Sequence, residues 1–127
     1  MIKKLIFSVT LLVVTLSTQA LADTPTVEWA PFNVKAGVSE QVVINQAQTV
    51  EDLFLKQQPG YIRRSLLNDG KGQWVDVVYW ESKVDASNAM KKAFESPICH
   101  QYFALMEGTE DGEVSPIKHY RLVQSWQ

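Results

Sequence analysis

The chain has 127 residues, 46% of them apolar and 20% charged, with a formal net charge of −2 and a single cysteine. That length holds one domain with one core, and a mildly acidic, unclustered surface gives no electrostatic reason to expect nucleic acid or an anionic membrane as partner. Cys99 stands alone, so no intrachain disulfide can form and stability must come from packing, aided by a second subunit if one is present.

Met1 to Ala22 sets Lys3 and Lys4 ahead of an apolar run from Leu5 to Leu16 and ends in Ala20-Leu21-Ala22. This is the order of a secretory signal peptide cleaved after Ala22. The run is shorter than the roughly 20 residues that a spanning helix needs. No cysteine follows the small residues to carry a lipid, and there is no twin arginine. Cleavage would leave one domain, 23–127. It removes two of the 12 basic residues and none of the 14 acidic ones, giving a net charge of about −4. The mature domain is expected to be secreted or periplasmic, with no membrane attachment.

A first strand is expected from near Val27 to Lys35, with a bulge or a late start at Pro31, because proline removes a ladder donor. A helix follows Gly37, with Ser39 as N-cap and Glu40 in its first turn. Val43, Ala47, Val50 and Phe54 fall at helical spacing, with Leu53 widening the stripe. Pro59-Gly60 ends this helix and opens a β-hairpin, Tyr61 to Leu67 and Gln73 to Trp80, joined by the Gly-rich turn Asn68 to Gly72.

A symmetric turn sets Leu67 opposite Gln73, and then Leu66 opposite Trp74, Arg64 opposite Asp76, Ile62 opposite Val78 and Tyr61 opposite Tyr79. One face carries Ile62, Arg64, Leu66, Trp74, Asp76, Val78 and Trp80. The other carries Tyr61, Arg63, Ser65, Leu67, Val75, Val77 and Tyr79. Neither face suits open water, so both need cover.

Beyond Trp80, Asp85 is the expected cap of a helix whose stripe is Ala86, Ala89, Met90, Ala93 and Phe94. Ser96-Pro97 starts a further helical segment to about Met106. Gly108 to Pro116 is an acidic loop, and Ile117 to Trp126 alternates as a last strand, with Ile117, His119, Arg121 and Val123 on one face. The order βαββαβ is an α+β, ferredoxin-like split βαβ unit, an antiparallel sheet with helices on one side. The bare side implies a homodimer packed sheet on sheet.

Phe32 with Gly37-Val38-Ser39, Pro59-Gly60-Tyr61, and Val77 to Ser82 ahead of an Ala-rich helix resemble the antibiotic biosynthesis monooxygenase family of dimeric α+β barrels. The resemblance runs from about Val27 to Val123. It implies a dimeric barrel with a ligand cavity between helices and sheet, taking a small aromatic molecule. The activity it suggests is cofactor-independent oxygenation of phenols or quinols. The family's haem-degrading branch implies haem as another planar ligand; His100 matches that branch's iron-ligating histidine, while Met90 and Ala30 stand where it has tryptophan and asparagine.

Within that frame His100 is the candidate base, since a histidine near a helix N-terminus tends to stay neutral and can accept a phenol proton. Arg64 is expected to be used by Asp76, which leaves Arg63 to stabilise an anionic oxygen. Tyr61, Tyr79, Trp80, Met90, Phe103 and His119 are the candidate ligand-binding residues, with Tyr102 among the aromatic groups that could line a pocket. Two isolated histidines and one cysteine lack the spacing of a metal site, and no Gly-rich phosphate loop or nucleophilic serine motif is present. As the alternative, the same fold serves as a binding module without chemistry.

Overall fold

Alternating β-branched and aromatic residues lay down four strands, and the apolar stripes of the intervening helices close over one side of the sheet they form. The computed structural model describes residues 24–108 and 116–127. The expected leader, Met1 to Ala22, and most of the acidic loop after Gly108 lie outside the described residues. The elements are β1 (Thr26–Asn33), α1 (Glu40–Leu53), β2 (Tyr61–Asn68), β3 (Gln73–Trp80), α2 (Lys83–Ala93), α3 (Pro97–Phe103) and β4 (Lys118–Arg121), with a single 3-10 turn at Leu55–Gln57. All neighbours in the sheet are antiparallel, in the order β2-β3-β1-β4. This is the ferredoxin-like α+β arrangement read from the sequence.

β1 pairs with β3 without interruption from Thr26 to Asn33, so the expected bulge or late start at Pro31 does not occur. The pairing of β1 with β4 reaches only Trp29 among the described residues. Pro31 therefore removes no donor from that side of the ladder. The last strand is also shorter than its alternation suggests: it ends at Arg121, and Leu122 to Gln127 carry on without strand structure.

The hairpin forms with a register two residues away from the symmetric one. Asn68 pairs with Trp74, Leu66 with Asp76 and Arg64 with Val78. Side chains in the turn account for the shift. Asn68 Oδ1 accepts from the Gly70 amide, and Asp69 Oδ1 accepts from the amides of Lys71 and Gln73, so local bonds set the turn's length. A shift of two keeps the faces as expected. One exception follows from a bulge between Tyr61 and Arg63, which leaves Ile62 exposed and carries Tyr61 over to the helix side against Trp80.

On α1, Ser39 caps by accepting from the Val42 amide at 3.3 Å, and Val43, Ala47, Val50 and the following Phe54 are buried. Leu53 does not join them: it lies about a quarter turn from the stripe's centre and is 59% exposed. The cap of α2 is Ser82 rather than Asp85. Ser82 Oγ accepts from the Asp85 amide and donates to Asp85 Oδ2 at 2.7 Å, a reciprocal first-turn arrangement. Ala86 and Ala89 bury against the sheet, whereas Phe94 at the end of the stripe is half exposed. Ser96 caps α3 through the Cys99 amide.

The core lies between the helices and the row Phe32, Trp74, Val78 and Trp80. On the opposite face of the sheet Val75 and Val77 are buried between strands, but Trp29, Leu67 and Tyr120 stand exposed. Arg63 lies there as well, its guanidinium carbon 3.5 Å from the centre of the Tyr79 ring.

Candidate functional site

Small side chains on α2 keep that helix from filling the space beside the sheet, and a cavity of about 490 Å³ remains between β1, β3 and the three helices. Its walls are aromatic at Phe32, Phe54, Trp80 and Phe103 and aliphatic at Val50, Val78, Met90 and Met106. A few polar groups break this surface: Glu28, Arg64, Asp76, Tyr102 and His100. Size and lining are those of a small-molecule site.

Arg64 and Asp76 form the core of the polar part. Arg64 Nε donates to Asp76 Oδ1 at 2.7 Å, and their side chains are only 7% and 11% exposed. Arg64 Nη1 donates to the Ala47 carbonyl, which turns α1 toward β2. The Tyr102 hydroxyl donates to Asp76 Oδ2 at 3.0 Å, so the carboxylate joins α3 to the sheet. Burial works against the guanidinium's charge, but Asp76 beside it prevails and holds the proton more tightly than usual. Burial, reinforced by the Asp76 charge, raises the Tyr102 phenol above its ordinary range.

A second polar pair reaches the cavity from the other side. Glu28 on β1 faces His119 across the β1–β4 ladder, and His119 Nε2 lies 2.9 Å from Glu28 Oε2. Both side chains are largely buried, at 15% and 13% exposure. Burial raises the Glu28 acid above the usual carboxylate range; the bond to His119 opposes that rise without cancelling it.

His100 lines the cavity, but its ring is partly committed. Nε2 lies 2.6 Å from the Phe94 carbonyl and must donate to it, so the lone pair left for a ligand is on Nδ1. Iron ligation by His100 would have to use that nitrogen.

Of the other residues singled out from the sequence, Trp80, Met90 and Phe103 line the cavity with His100. Ala30, the counterpart of the haem branch's asparagine, also lines it. Arg63 and Tyr79 stack on the far face of the sheet, because alternation from Arg64 and Trp80 turns them outward; the guanidinium that reaches the cavity is Arg64. Tyr61 is on the helix side through the bulge, where its hydroxyl donates to Glu51 Oε1 at 2.6 Å outside the cavity lining. His119 meets the site only through Glu28. Sequence reasoning missed Glu28, whose signal was an acidic residue on the same strand row as Phe32. Among the described residues no three metal-ligating side chains come together, and no helix is long and apolar enough to cross a membrane.

No family model and no curated protein matches this sequence. Solved structures do match its fold. A variant of SnoaB, a cofactor-independent oxygenase from Streptomyces nogalater, superposes with a TM-score of 0.61 at 19% identity, covering 80% of this chain and 96% of that one. A Chloroflexus aurantiacus protein assigned by inference as an antibiotic biosynthesis monooxygenase gives 0.57 at 11%, covering 82% and 98%. A Nitrosomonas europaea protein of unknown function gives 0.57 at 12%, covering 84% and 96%. The fold is thus the one adopted by antibiotic biosynthesis monooxygenase-like proteins.

Proposed function

We propose that the chain is an exported homodimeric protein that binds a small planar aromatic molecule in the cavity between helices and sheet, and that it oxygenates a phenol or quinol there without a cofactor. The observation that carries this reading is the cavity itself: about 490 Å³, walled by aromatic rings, with polar groups gathered in a few places. The fold shared with SnoaB, described as a cofactor-independent oxygenase, supports the reaction class. In such a reaction the substrate, once deprotonated, supplies the electrons to oxygen. The protein must take a proton and tolerate the resulting anion. His100 Nδ1 is the acceptor offered by α3, and Arg64 and Lys35 are the cations in the lining.

Export rests on the order of charged, apolar and small residues before Asp23. The dimer rests on the apolar residues Trp29, Leu67 and Tyr120, left uncovered on the sheet's outer face. Oxygen uptake with a panel of quinols tests the activity. Uptake by the wild type that is lost in His100→Ala, with unchanged circular dichroism, is the expected result; equal uptake by the variant would remove His100 from the reaction.

A second reading, binding without turnover of haem or another planar ligand, is favoured by Ala30 and Met90. Both line the cavity and neither carries a hydrogen-bonding side chain. Quinol binding without oxygen uptake would select this reading.

A further inference from the structure

We propose that Glu28 is the anchoring residue of the cavity: it selects a neutral aromatic ligand bearing a hydroxyl group by accepting that hydroxyl's hydrogen bond, and His119 is the positioning residue that holds its carboxylate in place. The proposal rests on the reading of the cavity as a ligand site and gives the chemical class of the ligand.

The geometry supplies both halves of the argument. Glu28 projects from the central strand into the cavity lining, yet its carboxylate is largely buried. One oxygen, Oε2, is bound by His119 Nε2. Among the described residues the only side-chain hydrogen bond of Glu28 is the one through Oε2, and Glu28 lines the cavity, so Oε1 is the acceptor left for a ligand. An ionised carboxylate has no proton of its own, so the bond requires His119 Nε2 to carry the hydrogen. His119 also lines a second depression with Thr26, Lys83 and Arg121.

The charges around the pair favour a hydroxyl over an acid. Glu28 faces His119 on β4, Asp76 on β3 and Arg64 on β2. Tyr102 and His100 on α3, and Lys35 and Glu107 in the loops beside α1 and α3, line the same cavity. The stretches of α1 and α2 that line it are apolar. Arg64 is already bound to Asp76 and Ala47, so a ligand carboxylate brought near Glu28 would meet a like charge in a poorly solvated place. A hydroxyl donor meets an acceptor there. Because burial raises the Glu28 acid, the acceptor should be lost on acidification earlier than an exposed carboxylate would be.

Three two-ring probes test this: 2-naphthol, its methyl ether and 2-naphthoate, each measured by equilibrium dialysis against the purified protein. The wild type should bind the naphthol about tenfold more tightly than the ether, the ratio expected for one hydrogen bond to a charged acceptor, and naphthoate most weakly. In Glu28→Gln the His119 N–H claims the amide oxygen and turns the NH₂ group toward the cavity. The naphthol-to-ether ratio should then fall to about one, and naphthoate should gain. In His119→Phe the ratio should survive at high pH but be lost at a higher pH than in the wild type, because the histidine's bond is one of the influences that lowers the Glu28 acid. A merely structural role for His119 would leave that pH unmoved. Equal affinity of the wild type for all three probes, or an unchanged ratio in Glu28→Gln, would overturn the anchor while leaving the cavity as a binding site. Failure of all three probes to bind would remove the cavity reading and the anchor with it.

Discussion

The Asp76 carboxylate is the group on which the cavity's polar side depends, and its removal should be costly well beyond one lost contact. Asp76→Ala leaves the Arg64 guanidinium only 7% exposed, with the Ala47 carbonyl as its remaining hydrogen-bond partner. An uncompensated buried charge of this kind costs about 3–5 kcal/mol. Stability for a domain of this size is about 5–15 kcal/mol, so roughly a fifth or more of it is at stake. Tyr102→Phe removes only the 3.0 Å bond to Asp76 and leaves the ion pair intact, for a loss of about 1.5–3 kcal/mol. The double variant Arg64→Met with Asp76→Leu removes both charges and should recover most of what Asp76→Ala loses, since apolar replacement of a whole buried pair is often near neutral. Urea unfolding followed by far-UV circular dichroism, read as midpoints at constant slope, measures all three. A loss below about 1 kcal/mol for Asp76→Ala would mean that water reaches Arg64 freely. The burial of the Arg64–Asp76 pair would then be refuted.

Three further outcomes follow from particular contacts. Gly60 has φ +77°, and a Cβ there would run into the Asp85 carboxylate that answers Ser82 at the start of α2. Gly60→Ala should therefore cost about 2 kcal/mol in urea unfolding, combining backbone strain with a weakened cap; a cost within error would show that Asp85 moves aside freely. Cys99 is 1% exposed and burial raises its thiol, so a disulfide reagent at pH 8 should label it only on unfolding, and rapid labelling of the native protein would contradict the packing of α3. The raised Glu28 acid keeps its proton in the folded chain at pH values where the unfolded chain has lost it, so it lowers stability as pH rises from about 4.5 through the folded value. Glu28→Gln should thus gain on the wild type in urea midpoint across that window, and a difference that shrinks with rising pH would contradict the burial of the carboxylate.

Alternation and helical spacing made the fold legible because each element buries its face locally. Val43, Ala47 and Val50 announce the buried side of α1, and Trp74, Val78 and Trp80 that of β3. The Arg64–Asp76 pair was readable as well, since a shift of two residues in register keeps both on one face and a diagonal ion pair still closes. Caps and turns were less readable where two neighbouring residues both carry capping side chains, as Ser82 and Asp85 do. The bulge at Ile62 could not be read from alternation, because one extra residue at a strand's start looks like no break in the pattern. It decides that Tyr61 turns to the helix side, against Trp80, and reaches Glu51.

The site's least legible part is the one where local and distant demands conflict. An acid at Glu28, on the row of a central strand that points at the helices, would by itself be an unpaired buried charge costing several kcal/mol. It is tolerated because β4 sets His119 beside it, 91 positions later in the chain. That strand has four residues and pairs only with β1 among the described residues, so a buried polar bond is a large part of what holds it. Removing either partner would leave the other buried without its hydrogen bond and weaken the edge of the sheet. The short strand and the polar wall of the cavity therefore share one bond, that between Glu28 and His119.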